Sequence, residues 1–570
     1  MTGNLLSERI RKWAARFAQR EDQVAIVLSL VVGALVGLVV VAFILLTGRM
    51  AARMYPPGSS PWRSILIPVF GSLVSGYLLY RYFPDARGSG IPQAKYALFL
   101  HNGYISLKTV VGKFLCCSLT LASGIALGRE GPSVQIGAGI TSVLARRFGL
   151  KTEQVKGILP AGCAAALAAA FNTPIAAVLF SLEEILGDMH APVLGSVVVS
   201  AATSWIVLHL ILGDEPLFHV PPYQLVNPSE FGIYAVLGLV GGLGSVAFVK
   251  ILLGLRVWFR RLPKSTVWLQ PVAGGLTVGL LALAAPEVMG VGYDFVERVL
   301  SGGVAFRIVA LLAVLKILAT AMSYSSGNAG GIFGPTLFIG AMMGGAVGSA
   351  AHALFPATTA GPGAYALVGM GAAFAGIVRT PLTSVIMIFE MTRDYSIIVP
   401  LMISNLVSFV VSYQFQRQPI YEALALQEGV YLPSREEVHE QLERHQVEDI
   451  VRKDMQPLPP TMNLDAARRV LEEARLNAWP VATQGHLSGL LTAHTLHSRQ
   501  DLSGAVHDVM NPAAAFPFVH ADESLAVALE RMGAAGVDVL PVVSRSDLRL
   551  WLGTVTLGDV LKAYGVGATQ

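Results

Sequence analysis

For its first 420 residues the chain alternates between long apolar stretches and short polar breaks, and then it changes character. Val24 to Leu46 is an apolar run of 23 residues without a charge, long enough to cross a bilayer as a helix. Further apolar segments recur near 65–80, 105–127, 157–182, 191–212, 231–254, 265–285, 304–322, 331–355, 362–390 and 396–415. Many are interrupted by glycine and proline, which membrane helices tolerate where the broken ends are buried in protein or line a cavity. The pattern predicts an all-α polytopic membrane body with many broken or tilted helices. After Tyr421 a polar, helix-patterned stretch to about residue 446 reads as a linker, and two short α/β units follow it.

The punctuation repeats. Gly128-Arg129-Glu130-Gly131-Pro132 and Gly331-Ile332-Phe333-Gly334-Pro335 are glycine-rich pentads ending in Gly-Pro, and each is followed five residues after the proline by glycine, Gly137 and Gly340. Fifteen residues upstream of each pentad a lysine, Lys113 or Lys316, interrupts an apolar run. Downstream, Thr173-Pro174 precedes Glu183 by the same spacing that separates Thr380-Pro381 from Glu390. One gapped alignment relates the halves, roughly 23–215 and 230–421. Repeats with interrupted helices at corresponding positions place a substrate site near the bilayer midplane, where the halves meet. The two lysines read as structural, pairing with buried carbonyls or acids, and Glu390 reads the same way.

Composition agrees. The chain is 53% hydrophobic and 14% charged, with a mean hydropathy of +0.58, and 33 of its 78 charged residues fall in 417–570. Segment 1–22 carries Arg9, Arg11, Lys12, Arg16 and Arg20, an excess that argues for a cytoplasmic N-terminal helix. The net charge of +4 is too small to imply nucleic acid, and no nucleic-acid motif stands out. Cys116, Cys117 and Cys163 lie in apolar stretches and suggest neither a disulfide framework nor a metal site. No nucleophile, metal cluster or phosphate loop points to an enzyme.

A helix that begins inside the membrane presents unsatisfied N–H groups and a partial positive charge, which together favour a dehydrated anion. Three segments have this form: Gly88-Ser89-Gly90-Ile91-Pro92, the pentad at 128–132 and the pentad at 331–335. Their glycines let an ion approach the backbone, and proline costs little in a first helical turn. Ser89 adds a hydroxyl donor. Glu130 is a carboxylate at an anion-attracting helix end, where it can substitute for the ion it blocks; a static ion pair with Arg129 is the bland alternative.

These motifs, with the stretch Ala168 to Glu184, closely resemble the CLC family of chloride channels and chloride/proton antiporters from about residue 24 to Tyr421. The resemblance implies two inverted repeats, a homodimer with one pore per subunit, and a chloride held by Ser89, Tyr421 and the backbone N–H groups of Ile332 and Phe333. It makes Glu130 the gating glutamate. Through the run Phe171-Asn172-Thr173-Pro174 it aligns Glu184, with Glu183 beside it, to the acid that relays protons from the cytoplasm in antiporters. Lys95 stands where several bacterial relatives place a glutamate, so any salt bridge there must differ. Ser89 argues for chloride over nitrate or fluoride.

The tail repeats as well: Trp479-Pro480-Val481 and Gly489 to Thr492 in one unit, Leu540-Pro541-Val542-Val543 and Gly553 to Asp559 in the other. This resembles a tandem pair of CBS domains, 447–503 and 504–570, joined to the membrane domain 23–421 by a linker at 422–446. The resemblance implies an adenine nucleotide whose ribose meets Thr556 and Asp559, whereas no acid follows Thr492 at the matching place. The reading is therefore chloride/proton exchange in a cell inner membrane, both termini cytoplasmic, requiring no cofactor. A passive chloride channel is the nearest rival, and a CBS-containing divalent-cation transporter a more distant one.

Overall fold

The computed structural model describes residues 21–563 except 59, 190–192, 215, 222, 224, 225, 432–444, 499–503 and 513–515. The basic segment 1–20 and most of the linker lie outside the described residues. The chain divides into two compact units at residue 432.

In the first unit the helices come as two series of eight. The first is α1 (Glu21–Met54), α2 (Arg63–Arg81), α3 (Ile91–Phe99), α4 (Leu107–Ala122), α5 (Glu130–Arg147), α6 (Thr152–Phe171), α7 (Pro174–Phe180) and α8 (Leu194–Leu212). The second is α9 (Glu230–Arg260), α10 (Pro271–Ala284), α11 (Tyr293–Leu300), α12 (Phe306–Ser325), α13 (Phe333–Leu354), α14 (Pro362–Ile377), α15 (Pro381–Thr392) and α16 (Ile398–Phe415). A short α17 (Ile420–Gln427) closes the unit. Among the described residues, eight helical stretches are long and apolar enough to cross a membrane, and others are shorter, as the glycine and proline interruptions require.

The breaks fall at equivalent places for equivalent reasons. Asn172 and Arg379 take left-handed backbone, φ 60° and 67°, ahead of Thr-Pro, so the chain leaves α6 and α14 and restarts as α7 and α15. A Cβ on Gly137 would run into Gly162 O, and one on Gly340 into Gly369 O, so these glycines let α5 close on α6 and α13 on α14. The repeats are inverted about the point where Gly128 and Gly331 pair antiparallel: Gly128 N–H donates to Gly331 O at 2.7 Å and Gly331 N–H to Gly128 O at 2.8 Å.

Both repeat lysines are fully buried and bond backbone oxygens. Lys113 Nζ donates to Ala86 O at 3.0 Å and Gly88 O at 2.6 Å; Lys316 Nζ donates to Val288 O at 2.9 Å and Gly290 O at 2.7 Å. Each ties down the loop that precedes a broken helix. Replacing Lys316 with methionine strands two carbonyls, and the expected loss is about 1–3 kcal/mol, read as a lower thermal midpoint in detergent. An unchanged midpoint would make the lysine dispensable.

The second unit holds two three-stranded sheets. In the first, β1 (Ala478–Thr483), β2 (His486–Thr492) and β3 (Asn511–Pro512) run antiparallel in that order. In the second, β4 (Val519–His520) pairs parallel to β5 (Val539–Val543), which pairs antiparallel to β6 (Trp551–Thr556). A parallel bridge from Leu458 to Val481 repeats the pairing of Val519 with Val542. Helices α18 (Leu464–Ala474) and α20 (Leu525–Ala535) occupy matching places, as do α19 (Ala493–His497) and α21 (Leu557–Ala563).

Candidate functional site

The three glycine motifs meet. Gly90 caps α3 at φ 111°, and a Cβ there would collide with Gly131 O. A Cβ on Gly131 would lie 2.6 Å from Ser89 O, and one on Gly331 would lie 3.1 Å from Gly131 N and from Pro132 Cδ. Gly88, at φ 94°, is the loop residue whose carbonyl Lys113 holds. Pro92, Pro132 and Pro335 all fall in first turns, of α3, α5 and α13. Three helix starts thus converge on one buried spot, each contributing N–H groups that no preceding carbonyl of its own helix reaches.

Glu130 begins α5 and is fully buried. Its Oε2 accepts from Gly334 N–H at 3.2 Å, at the start of α13, and its Oε1 accepts from Tyr293 Oη–H at 2.6 Å. The lack of a side chain at Gly334 opens that seat, since a Cβ there would be 2.9 Å from the carboxylate. Among the described residues Glu130 forms no ion pair with Arg129, whose guanidinium instead lies over the Tyr293 ring at 5.8 Å. The carboxylate therefore occupies a position fit for an anion.

Ser89 and Tyr421 are both fully buried, and each hydroxyl lacks a hydrogen-bond partner among the described residues. Two orphaned buried donors are costly unless an acceptor sits between the motifs. Ile332 and Phe333 open α13, and the Phe333 ring packs against Phe171, Phe374 and Phe180 at 4.8, 4.4 and 5.5 Å. Aromatic rings from both repeats thereby fix the start of that helix.

The two acids after α7 take different partners. Glu184, in a π-helical turn over Ser181–Leu186, is buried and receives Lys95 Nζ at 2.9 Å. Glu183 caps instead: its Oε2 accepts from Thr383 N–H at 2.9 Å and Thr383 Oγ1–H at 2.6 Å, at the start of α15. Glu390 returns the contact, accepting from Ile175 and Ala176 N–H at 3.0 and 2.7 Å at the start of α7. The repeated glutamates thus cap each other's helices across the pseudo-dyad, where the negative charge is favoured.

In the second unit Thr556 Oγ1 donates to Asp559 Oδ2 at 2.6 Å and accepts from Asp559 N–H at 3.2 Å, which starts α21. Asp559 lines a cavity of about 260 Å³ with Ile450, Lys562 and Ala563. Nearby, the Arg452 guanidinium holds the Asp454 carboxyl below its ordinary range through a 2.8 Å hydrogen bond. In the first unit of the pair Thr495 takes the place of the acid, its N–H bonded to Thr492 Oγ1 at 3.3 Å.

Sequence reasoning did not find Tyr293. Its signal is the repeat itself: Lys316 bonds Gly290 O as Lys113 bonds Gly88 O, which sets Gly290-Val291-Gly292-Tyr293 against Gly88-Ser89-Gly90-Ile91. It also did not pair Lys95 with Glu184, because 89 residues separate them.

Residues 71–413 match the family described as voltage gated chloride channel, and residues 447–499 and 506–566 each match the CBS domain. An H(+)/Cl(-) exchange transporter ClcA of Vibrio cholerae serotype O1 is 33% identical over 416 residues, covering 70% of this chain and 88% of that protein. A putative chloride channel protein ClcB-like of Ralstonia nicotianae is 34% identical over 366 residues, covering 63% and 85%. Among solved structures, a slow cyanobacterial Cl-/H+ antiporter matches at a TM-score of 0.66 and 28% identity, over 71% of this chain and 97% of that one. A eukaryotic CLC transporter shares the fold over 94% of this chain and 97% of its own, at a TM-score of 0.61 and 20% identity.

Proposed function

The chain belongs to the voltage gated chloride channel family, and we propose that it exchanges chloride for protons across a cell inner membrane, with Glu130 as the gate. The observation that carries this is the Glu130 carboxylate itself, seated on Gly334 N–H and Tyr293 Oη–H where three helix starts converge. A chloride arriving there competes for the same donors, and a proton arriving on Glu130 removes the charge that holds it in place. Each event releases the seat for the other ion, which is the logic of exchange. Ser89, Tyr421 and the N–H groups of Ile332 and Phe333 hold the chloride on the other side of the gate. Family membership replaces the divalent-cation reading.

Glu184 is the second proton acceptor in this scheme, and Glu183 a helix cap. The fixed ion pair between Glu184 and Lys95 is the feature on which the rival reading, a passive channel, rests. Glu184→Gln separates the two. Exchange predicts that the variant still moves chloride in vesicles but no longer takes up protons against a gradient; undiminished proton uptake would remove Glu184 from the path.

Tyr293 latches the gate. Losing its hydrogen bond to a charged acceptor weakens the closed state by roughly 1.5–3 kcal/mol. In Tyr293→Phe the bond that holds the carboxylate in the anion's seat is gone, so chloride displaces it more readily. The expected result is chloride efflux about tenfold faster than wild type at one fixed pH; an unchanged rate would show that the tyrosine only packs.

The basic excess in segment 1–22 supports cytoplasmic termini. A homodimer is supported by the family resemblance. The cavity beside Asp559 and Lys562 supports an adenine nucleotide at Thr556 and Asp559, with a regulatory role.

A further inference from the structure

Tyr293, which latches the gate, begins a helix of only 8 residues, α11, and the connection between α8 and α9 fastens that helix along one side. Tyr293, Glu297 and Leu300 stand at i, i+4 and i+7, positions that share a helix face. Phe218 is buried, and its ring and the Tyr293 ring stand edge to face, with centroids 5.5 Å apart and planes at 89°. His219 N–H donates to Glu297 Oε1 at 3.0 Å, and the His219 ring Nδ1 lies 2.9 Å from the same oxygen. Tyr223 Oη–H donates to Leu300 O, a carbonyl that the helix end leaves open. Leu217 and Val220 pack against the same core. At its other end α9 brings Arg260 to Gln427 O of α17, so this connection lies at the face of the membrane unit opposite α17.

The inverted repeat gives the fastening a counterpart. Tyr293 stands where α3 has Ile91, so Glu297 stands where α3 has Lys95, and Lys95 is tied to Glu184. Each short helix is thus held by a charged side chain one turn past its start. What the second repeat adds is the ring. Ile91 has no hydroxyl, whereas Tyr293 Oη–H reaches Glu130 Oε1 at 2.6 Å, and a bond of that length requires the phenol to be fixed in direction as well as in place. An edge-to-face neighbour supplies that direction, because the positive edge of one ring is drawn to the negative face of the other.

We propose that Phe218 is a positioning residue for the gate, holding the Tyr293 ring where its hydroxyl reaches Glu130, and that the tie between His219 and Glu297 keeps the two rings together. This rests on the reading of Glu130 as the gate of a chloride transporter. The strength of the closed state is then set from a connection at the membrane face, by residues that touch neither the anion nor the gating carboxylate.

The test is a double-mutant cycle on chloride efflux from vesicles at one fixed pH, with Phe218→Leu and Glu297→Ala each made in the full-length wild type and in Tyr293→Phe. Tyr293→Phe keeps the ring on which Phe218 packs and removes only the hydroxyl. In the wild-type background Phe218→Leu is expected to speed efflux by about two- to tenfold, the range of one aromatic pair, and Glu297→Ala to speed it in the same direction. In the Tyr293→Phe background neither substitution changes the rate, because the bond they would loosen is already gone. An effect of Phe218→Leu that is the same in both backgrounds shows that the ring only packs, and it overturns the proposal; so does an unchanged rate in the wild-type background. Glu297 is partly exposed, so Glu297→Ala carries the same comparison if Phe218→Leu does not fold. Absence of chloride efflux from the wild type is a different failure, that of the transport reading itself, and it takes this inference with it.

Discussion

Glu130→Gln is expected to abolish proton movement while chloride continues to flow. Glutamine keeps the volume of the side chain but carries no charge, so it loses the attraction to Gly334 N–H and the start of α13 that holds the carboxylate in the anion's seat. It also cannot take up and release a proton. In vesicles the variant should bring chloride-driven proton uptake to the level of protein-free vesicles. Its chloride efflux should become independent of pH across the acid-to-neutral range. Loss of chloride efflux together with proton uptake would mean that Glu130 supports the fold and does not gate it. Comparing thermal midpoints of variant and wild type distinguishes that case, since a buried charge removed from two good hydrogen bonds would then unfold the site.

Gly90→Ala is expected to have the next largest effect. Left-handed backbone at φ 111° costs an alanine on the order of 1–3 kcal/mol, and the added methyl would press on Gly131 O, the backbone of the neighbouring motif. Relief requires α3 to withdraw from α5, which carries Ser89 away from the convergence. The backbone cost alone corresponds to about a ten- to hundredfold loss of chloride affinity, measurable by titrating chloride into the purified protein. Unaltered affinity would show that the three motifs do not have to touch for the ion to bind.

The architecture was legible because its breaks are chemical. A Gly-Pro pentad, a lysine fifteen residues upstream and a Thr-Pro restart are visible in the letters; the pentad and the restart mark helix starts in both repeats, and the lysine, from mid-helix, holds the loop before another start. Residues whose role depends on a partner far along the chain were less legible. Glu183 and Glu390 read as a pair because they repeat, but that each caps the other's helix across the pseudo-dyad is visible only in the fold. Lys95 stood out as a departure from the family pattern, and only the fold brings it to Glu184. Tyr293 was hidden because its motif has diverged: Val291 has replaced the serine and Asp294 the proline of the first repeat, leaving two glycines as the trace. In the tail the repeated Pro-Val strands marked the paired sheets, while Thr495 in place of an acid is a one-residue difference between two similar turns.

Ion exchange, the central claim, is tested most directly on the wild-type protein in weakly buffered vesicles loaded with high chloride and diluted into low chloride. Potassium with an ionophore carries the compensating charge. Chloride leaving down its gradient should draw protons inward, so the external pH rises until a protonophore collapses the difference. Chloride efflux with an unchanged external pH would contradict exchange and leave a passive chloride channel.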